Sequence, residues 1–454
     1  MAIQSINPAT GKTLRRYQPL PSSAIEAALG RAASAFTRWR TLPLEERGAC
    51  LLKAAQILRE RKQVLGKLIT LEMGKPVFQS VAEVEKCAWA CEYFAENTRT
   101  LLADEPVATQ AYKSYVRFAP LGVVCAIMPW NFPLWQVFRA AAPALMAGNV
   151  VVLKHAANVP QCALAIEAVF RRAGVPKGVF QTLLVGSAAM GRILADARIA
   201  AVTLTGSEAA GIDVARVAAE HLKKVVLELG GSDPFVVLKD VDLNRCCRLA
   251  AQARTINSGQ SCIAAKRFVV DAAVAERFTA CFVEQMQALR VGDPLDSATE
   301  VGPLARADLR AELHRQVQKS VRRGARLLTG GRMLAGPGFF YAPTVLANVA
   351  PGMPAYEEEI FGPVASVIVA RGEDEAVRIA NDTCFGLGAS VWSQDIERAE
   401  AIARRIEAGT VFVNDFVKSD PRLPFGGVKR SGYGRELGTY GIKEFTNIQT
   451  IVVG

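Results

Sequence analysis

From Tyr115 onward, short β-branched runs alternate with Ala- and Leu-rich amphipathic stretches, and no other feature of the sequence narrows the fold as much. Residues 123–127, 150–153, 179–184 and 202–205 read as strands, with helices at 134–147, 157–173 and 188–196 between them. Each helix returns the chain to start the next strand in the same direction. The expected architecture is therefore a parallel, doubly wound α/β sheet, which takes dinucleotides at the carboxyl ends of its strands. A second alternating block follows a strand at 225–229, with candidate strands at 235–238, 268–270, 364–369, 389–391 and 410–413. Ahead of both blocks the pattern is helical. Ser22 is placed to cap a helix carrying Ile25, Ala28 and Ala32, and further helical periodicity covers 49–71 and 81–101. The basic run 306–326 reads as one exposed helix stopped at Gly324. A β-rich tail at 447–453 needs a partner, either residues 113–117 or another subunit.

Composition removes several classes of function. The chain has 454 residues, with 54 Lys+Arg against 43 Asp+Glu and a net charge of +11. These basic residues are scattered, with no aromatic-interleaved basic ribbon, so no nucleic-acid partner is expected. The longest weakly interrupted apolar stretch, 140–153, contains Pro143, Gly148 and Asn149 and is shorter than the roughly 20 residues that span a bilayer. No membrane partner is expected. The N-terminal residues lack a cationic segment leading into an apolar block, which points to the cytoplasm. Ten cysteines and three histidines show no CxxC pair and no zinc-like spacing, so the thiols are expected to be reduced and the protein to hold no metal.

Three residues stand out for their chemistry. Cys262 follows Asn257-Ser258-Gly259-Gln260-Ser261 on a glycine-containing loop, where a thiol is either a reachable nucleophile or simply packed. Glu228 is the single carboxylate at the end of an apolar strand. It is either a base whose pKa burial raises or a salt-bridged strand end. Asn131 lies between Pro129 and Pro133 at a strand terminus and is either an oxyanion donor or an ordinary turn residue. Gly206 and Ser207 add a small-residue turn between a strand and a helix, where free N–H groups can meet a phosphate. Gly11-Lys12-Thr13 is not a P-loop, because Ile6 stands where the earlier glycine is needed.

Taken in order, PWNFP at 129–133, TGS at 205–207, ELGG at 228–231, NSGQSC at 257–262, EEIFGPV at 358–364 and PFGGVKRSGYGRE at 424–436 resemble the aldehyde dehydrogenase superfamily along nearly the whole chain. The resemblance implies a Rossmann-type cofactor domain at 1–102 and 121–230, an α/β catalytic domain at 231–430, and a small β oligomerisation segment from 103–120 and 431–454, in a homodimer or homotetramer. It also implies Cys262 as nucleophile, Glu228 as base and Asn131 as oxyanion donor. The cofactor groove would be lined by Ile127, Trp130, Lys154, Gly206, Ser207, Leu229, Glu359 and Phe361. Where many members carry a glutamate, this chain has Ala157, so both NAD and NADP are expected to bind, with NAD ahead.

KHAANV, ELGGSDPF and SDPRLPFGG are most similar to the bacterial short-chain, succinate-semialdehyde-oxidising branch. That likeness implies Arg139 and Ser419 as contacts for a substrate carboxylate. The branch's other arginine is replaced by Ile256, for which Arg422 or Lys418 would have to compensate. The expected reaction is oxidation of an aldehyde, succinate semialdehyde first among them, to the acid. The alternatives are another small or medium aldehyde, or a catalytically silent binding protein of the same fold. Reduction of an acyl phosphate or acyl thioester would need no deacylating base, and Glu228 speaks against it.

Overall fold

The computed structural model describes residues 3–454. Its first large sheet has six strands. From one edge they are Phe180–Thr182, Val150–His155, Val123–Met128, Ile199–Thr205 and Lys224–Glu228, all parallel, followed by the antiparallel Gly432–Tyr433. The strand order reverses on either side of Val123–Met128, and this opens a crevice at its carboxyl end. The pairing aligns Ile127 with Lys154 and with Leu204, and Thr205 with Glu228. The residues that end these strands therefore share one rim. Helices Trp135–Met146, Pro160–Arg172 and Glu208–Glu220 supply the crossovers.

The second sheet has seven strands in the order Arg326–Thr329, Thr344–Ala347, Val364–Ala370, Arg267–Asp271, Pro234–Val237, Gly388–Trp392 and Thr410–Val413, with only the first antiparallel. All five expected strands are here, and Arg326–Thr329 and Thr344–Ala347 are additional. Phe235, Phe268, Phe278, Phe282 and Trp392 pack as one aromatic cluster on its face, with ring centroids 4.6–6.5 Å apart.

The remaining expectations need adjustment in four places. The periodic stretch at 49–71 is two helices, Leu44–Glu60 and Lys62–Met73, broken at Arg61 where φ/ψ is −106/11°. Ser22 begins the helix Ser22–Trp39 but does not cap it; Pro21 holds the cap position and no side-chain bond forms. The basic helix spans Ala307–Arg322, and the chain is already in a strand at Arg326. The stretch 431–454 is not one segment. Gly432–Tyr433 closes the edge of the first sheet, whereas Thr446–Val453 pairs with Lys113–Pro120, as the expectation of a partner at 113–117 required. Glu105–Pro106 adds a third strand to that ribbon. The hairpin of Ile3–Ile6 and Thr13–Tyr17 was not anticipated. Among the described residues, no helix is long and apolar enough to cross a membrane.

Candidate active site

The loop carrying Cys262 is held in an unusual backbone shape. After the helix Leu243–Thr255, Asn257, Ser258 and Gly259 all take positive φ, at 53°, 55° and 77°. Three consecutive left-handed residues are costly, and tertiary contacts must hold them. Gly259 has no alternative: a Cβ there would lie 2.2 Å from the carbonyl carbon of Gly362. Asn257 N–H donates to Gln79 Oε1 at 2.7 Å, Ser258 Oγ and Gln260 Oε1 accept the N–H groups of Gly302 and Ala305 at 2.9 and 2.8 Å, and Arg254 Nη2 donates to Gly259 O at 2.8 Å. Beyond the thiol, Lys266 Nζ gathers the carbonyls of Ser261, Cys262 and Ala264 at 3.0, 2.7 and 3.1 Å. Asn131 is joined to the same loop, its Nδ2 donating to Gln260 O at 3.2 Å while its own carbonyl accepts from Asn257 Nδ2 at 2.7 Å.

Burial pushes the Cys262 thiol up to about 12, against the pull of Arg139 and Lys266. The resting residue is a thiol, and the two cations favour its ionisation. Glu228 is 1% exposed at the end of its strand, and neither carboxyl oxygen has a hydrogen-bonding partner. Burial raises its pKa to about 8, opposed first by Arg139 and reinforced by Glu436. A carboxyl that changes charge near neutrality is suited to moving a proton to and from water.

Arg139 lies between Glu228 and the cavity beside Cys262. Its Nε is ion-paired with Glu436, Nη2 donates to Thr205 Oγ1 at 3.3 Å and lies 3.9 Å from Glu228 Oε2, and the guanidinium sits over the Phe425 ring. Part of its charge is thus already balanced by buried carboxylates, a role the sequence did not signal. Arg139 also lines a cavity of about 580 Å³ together with Cys262, Phe132, Trp135, Ser419 and Phe425. Ser419 therefore meets Arg139 and Cys262 in one chamber. Neither suggested substitute for the arginine absent at Ile256 does so freely. Lys418 is paired with Asp415 at 2.5 Å, and Arg422 is exposed, paired with Asp420 at 2.6 Å. Two cations of the chamber that sequence reasoning missed are Arg248 and Lys86; the latter lies on the helix Val77–Leu101, and its Nζ donates to Ser419 Oγ at 2.8 Å.

Of the residues expected along the cofactor groove, Ile127, Trp130, Lys154, Gly206, Ser207 and Leu229 lie at the rim of the first sheet, while Glu359 and Phe361 reach it from the loop ahead of Val364–Ala370 in the second. Lys154 is partly buried and has no ion-pair partner among the described residues, and burial lowers its pKa. Ser207 caps the helix Glu208–Glu220 by accepting the Ala210 N–H at 3.4 Å, and Gly206 N–H donates to Glu228 O at 3.0 Å. Leu229 packs against Gly211, where a Cβ would come within 2.7 Å of its methyl group. Trp130 meets Phe361 edge-on with centroids 5.7 Å apart. Glu359 accepts the Gly231 N–H at 3.1 Å and lies 3.7 Å from Lys266. A side chain at Gly230 would fill this cradle, 2.6 Å from Glu359 Oε2. An unpaired ammonium and a helix N-terminus suit phosphate, and a fixed carboxylate suits ribose hydroxyls, so these residues fit a nicotinamide dinucleotide. Ala157 contributes no carboxylate, and its carbonyl is taken by the Gln4 N–H at 3.1 Å.

Comparison with known proteins gives the family and the overall fold. The aldehyde dehydrogenase family model matches residues 1–451. A Synechocystis protein named a probable succinate-semialdehyde dehydrogenase (NADP+) is 52% identical over 451 residues, 99% of each chain. The succinate-semialdehyde dehydrogenase (NADP+) of Mycobacterium avium is 50% identical, covering 100% of this chain and 97% of that protein. The crystal structure of succinic semialdehyde dehydrogenase from Streptococcus pyogenes in complex with NADP+ superposes with a TM-score of 0.98 at 36% identity, covering 100% of both chains. The expected advantage of NAD finds no support in these relatives, whose names all carry NADP+. The chain is an NAD(P)-dependent enzyme and belongs to the aldehyde dehydrogenase family.

Proposed function

We propose that the protein oxidises succinate semialdehyde to succinate, with NADP+ as the preferred acceptor. The observation that carries this reading is the chamber itself, in which Cys262 shares its walls with the cationic side chains of Lys86, Arg139, Arg248 and Lys418 and with the Ser419 hydroxyl, a lining suited to an aldehyde bearing a distal carboxylate. Once ionised, Cys262 adds to the aldehyde carbon. The carbonyl oxygen becomes an oxyanion within reach of Asn131 Nδ2 and the Cys262 N–H. A nicotinamide held in the groove supplies the acceptor for the hydride that leaves this carbon. The thioester then formed on Cys262 is opened by water: Glu228, as carboxylate, takes the water's proton, the C–O bond forms, the C–S bond breaks, and the acid and thiolate separate.

NADP+ is supported by two features and by the naming of the relatives. No carboxylate at position 157 repels a 2′-phosphate, and Lys154, three residues earlier, has no ion-pair partner among the described residues. The strand Thr446–Val453 is paired on one side only and exposes Ile448 and Val452, which supports assembly into a homo-oligomer. The test is a steady-state matrix of succinate semialdehyde, butanal and hexanal, each with NADP+ and NAD+. The expected optimum in kcat/KM is succinate semialdehyde with NADP+. Equal kcat/KM for the charged and uncharged four-carbon aldehydes would refute the substrate assignment, and a higher value with NAD+ would refute the cofactor assignment.

A further inference from the structure

Lys86 is the cation that hydrogen-bonds Ser419 in the chamber wall; Arg248 lines the same wall without an ion pair among the described residues, but is exposed. Around it, Lys75 is ion-paired with Glu83, Arg139 with Glu436, and Arg422 with Asp420, while among the described residues no carboxylate oxygen lies within ion-pair distance of Lys86 Nζ. The side chain does not lie on the surface. It runs inward, with Nζ 4.5 Å from the centroid of the Trp135 ring and 2.8 Å from Ser419 Oγ. Trp135 Nε1 also donates to Ser419 Oγ, at 3.1 Å. The serine oxygen thus accepts two hydrogen bonds, and its own O–H proton is left unspent. An ammonium has three donors, of which one is used here. Two N–H groups and one O–H group are therefore available at a single place on the wall of the chamber that holds Cys262.

We propose that Lys86 is the principal binding group for the distal carboxylate of the substrate, acting with Ser419, and that Arg139 assists from a position where its charge is already shared with Glu436. This rests on the reading of the substrate as an aldehyde with a terminal carboxylate and names the residue that selects it. A carboxylate docked there gains charge-assisted bonds and relieves an ammonium that was desolvated without an anion. Desolvation, with Arg139 nearby, holds the Lys86 pKa at about 8 in the free protein, and Asp420 and Glu83 offset this only in part. Occupation by a carboxylate would raise it.

The test compares wild type, Lys86→Met, Lys86→Gln and Lys86→Arg with succinate semialdehyde and butanal, alongside titration of the protein with succinate. Lys86→Met keeps the apolar stem over Trp135, and Lys86→Gln keeps a donor for Ser419 without the charge. In both, KM for succinate semialdehyde should rise about 30-fold or more with kcat within about threefold, butanal should change less than threefold, and succinate binding should weaken in parallel. Lys86→Arg should restore most of the discrimination. A wild type indifferent to the distal carboxylate overturns both the substrate reading and the role of Lys86. A selective wild type whose Lys86→Met and Lys86→Gln variants stay equally selective overturns the role of Lys86 alone.

Discussion

Replacing Glu228 with Gln should separate the two halves of the reaction, and the structure sets the size of the effect. The carboxyl is buried without a hydrogen-bonding partner, and its pKa of about 8 leaves only about a tenth of the protein with an ionised base at pH 7. The sign follows from that elevation: deacylation needs the carboxylate, so turnover should climb with pH, close to tenfold per unit below the midpoint, and level off above about 8. Loss of a general base removes roughly 10²–10⁴-fold in rate. Glu228→Gln should therefore release one equivalent of reduced cofactor per active site in a rapid burst and then turn over at least about a hundredfold more slowly, without the limb near pH 8. Stopped-flow absorbance of the reduced cofactor measures both phases, and the Cys262→Ala protein, which should show neither, is the control. The burst itself reports ionisation of Cys262, whose pKa is pushed to about 12, and it should keep accelerating with pH in wild type and variant alike. A Glu228→Gln enzyme with wild-type turnover, or with the pH 8 limb intact, would refute the assignment of the base.

Three further outcomes follow from individual contacts. Ala157→Glu adds a carboxylate at the end of the second strand and should move the NADP/NAD ratio of kcat/KM toward NAD by about tenfold or more; an unchanged ratio would show that the position does not face the adenosine ribose. Arg139→Ala leaves Glu436, and Glu228 whenever it is ionised, buried without a cation and should cost about 3–5 kcal/mol of stability in denaturant unfolding. Removing the positive charge beside Glu228 should also move the turnover midpoint above about 8, and a midpoint that falls instead would contradict the pairing. Gly259→Ala forces a methyl group into the Gly362 backbone and should abolish the burst even where folded protein is recovered, as judged by circular dichroism and active-site titration; a normal burst would mean that the loop has room to relax.

Much of this architecture can be read from the sequence because the strands that build the rim are apolar on both faces and separated by helices of clear period. Val123–Met128 and Pro234–Val237 are buried throughout. Arg326–Thr329 and Thr344–Ala347 are harder to see. Each is four residues long, and the first lies on an exposed edge with no apolar run to mark it. The break at Arg61 involves neither Gly nor Pro, and only the packing of the two helices reveals it. In the site, Cys262, Glu228 and Asn131 are conspicuous as chemically active residues in apolar or loop settings. Lys86 is not. It follows Glu85 in a helix whose charged residues mostly face water, and its setting is made by Ser419, 333 residues away. Glu436 is hidden for the same reason, since Arg139 finds it across most of the chain.

That dependence on remote residues orders events while the chain is being made. Glu228 acquires its surroundings from Gly426, Gly432, Arg435 and Glu436, and Lys86 finds its serine at 419. On a ribosome that has reached residue 400, five of the six strands of the first sheet and six of the seven of the second are already synthesised, and so is the Cys262 loop. Strand Lys224–Glu228 is then still an open edge, its glutamate reachable by water, and Arg139 still lacks Glu436. A chain that folds as it emerges thus forms the Cys262 loop first, and Glu228 is enclosed only when the C-terminal stretch is released and seats itself. Premature termination ahead of residue 426 would leave the Glu228 strand with an open edge and Arg139 without Glu436.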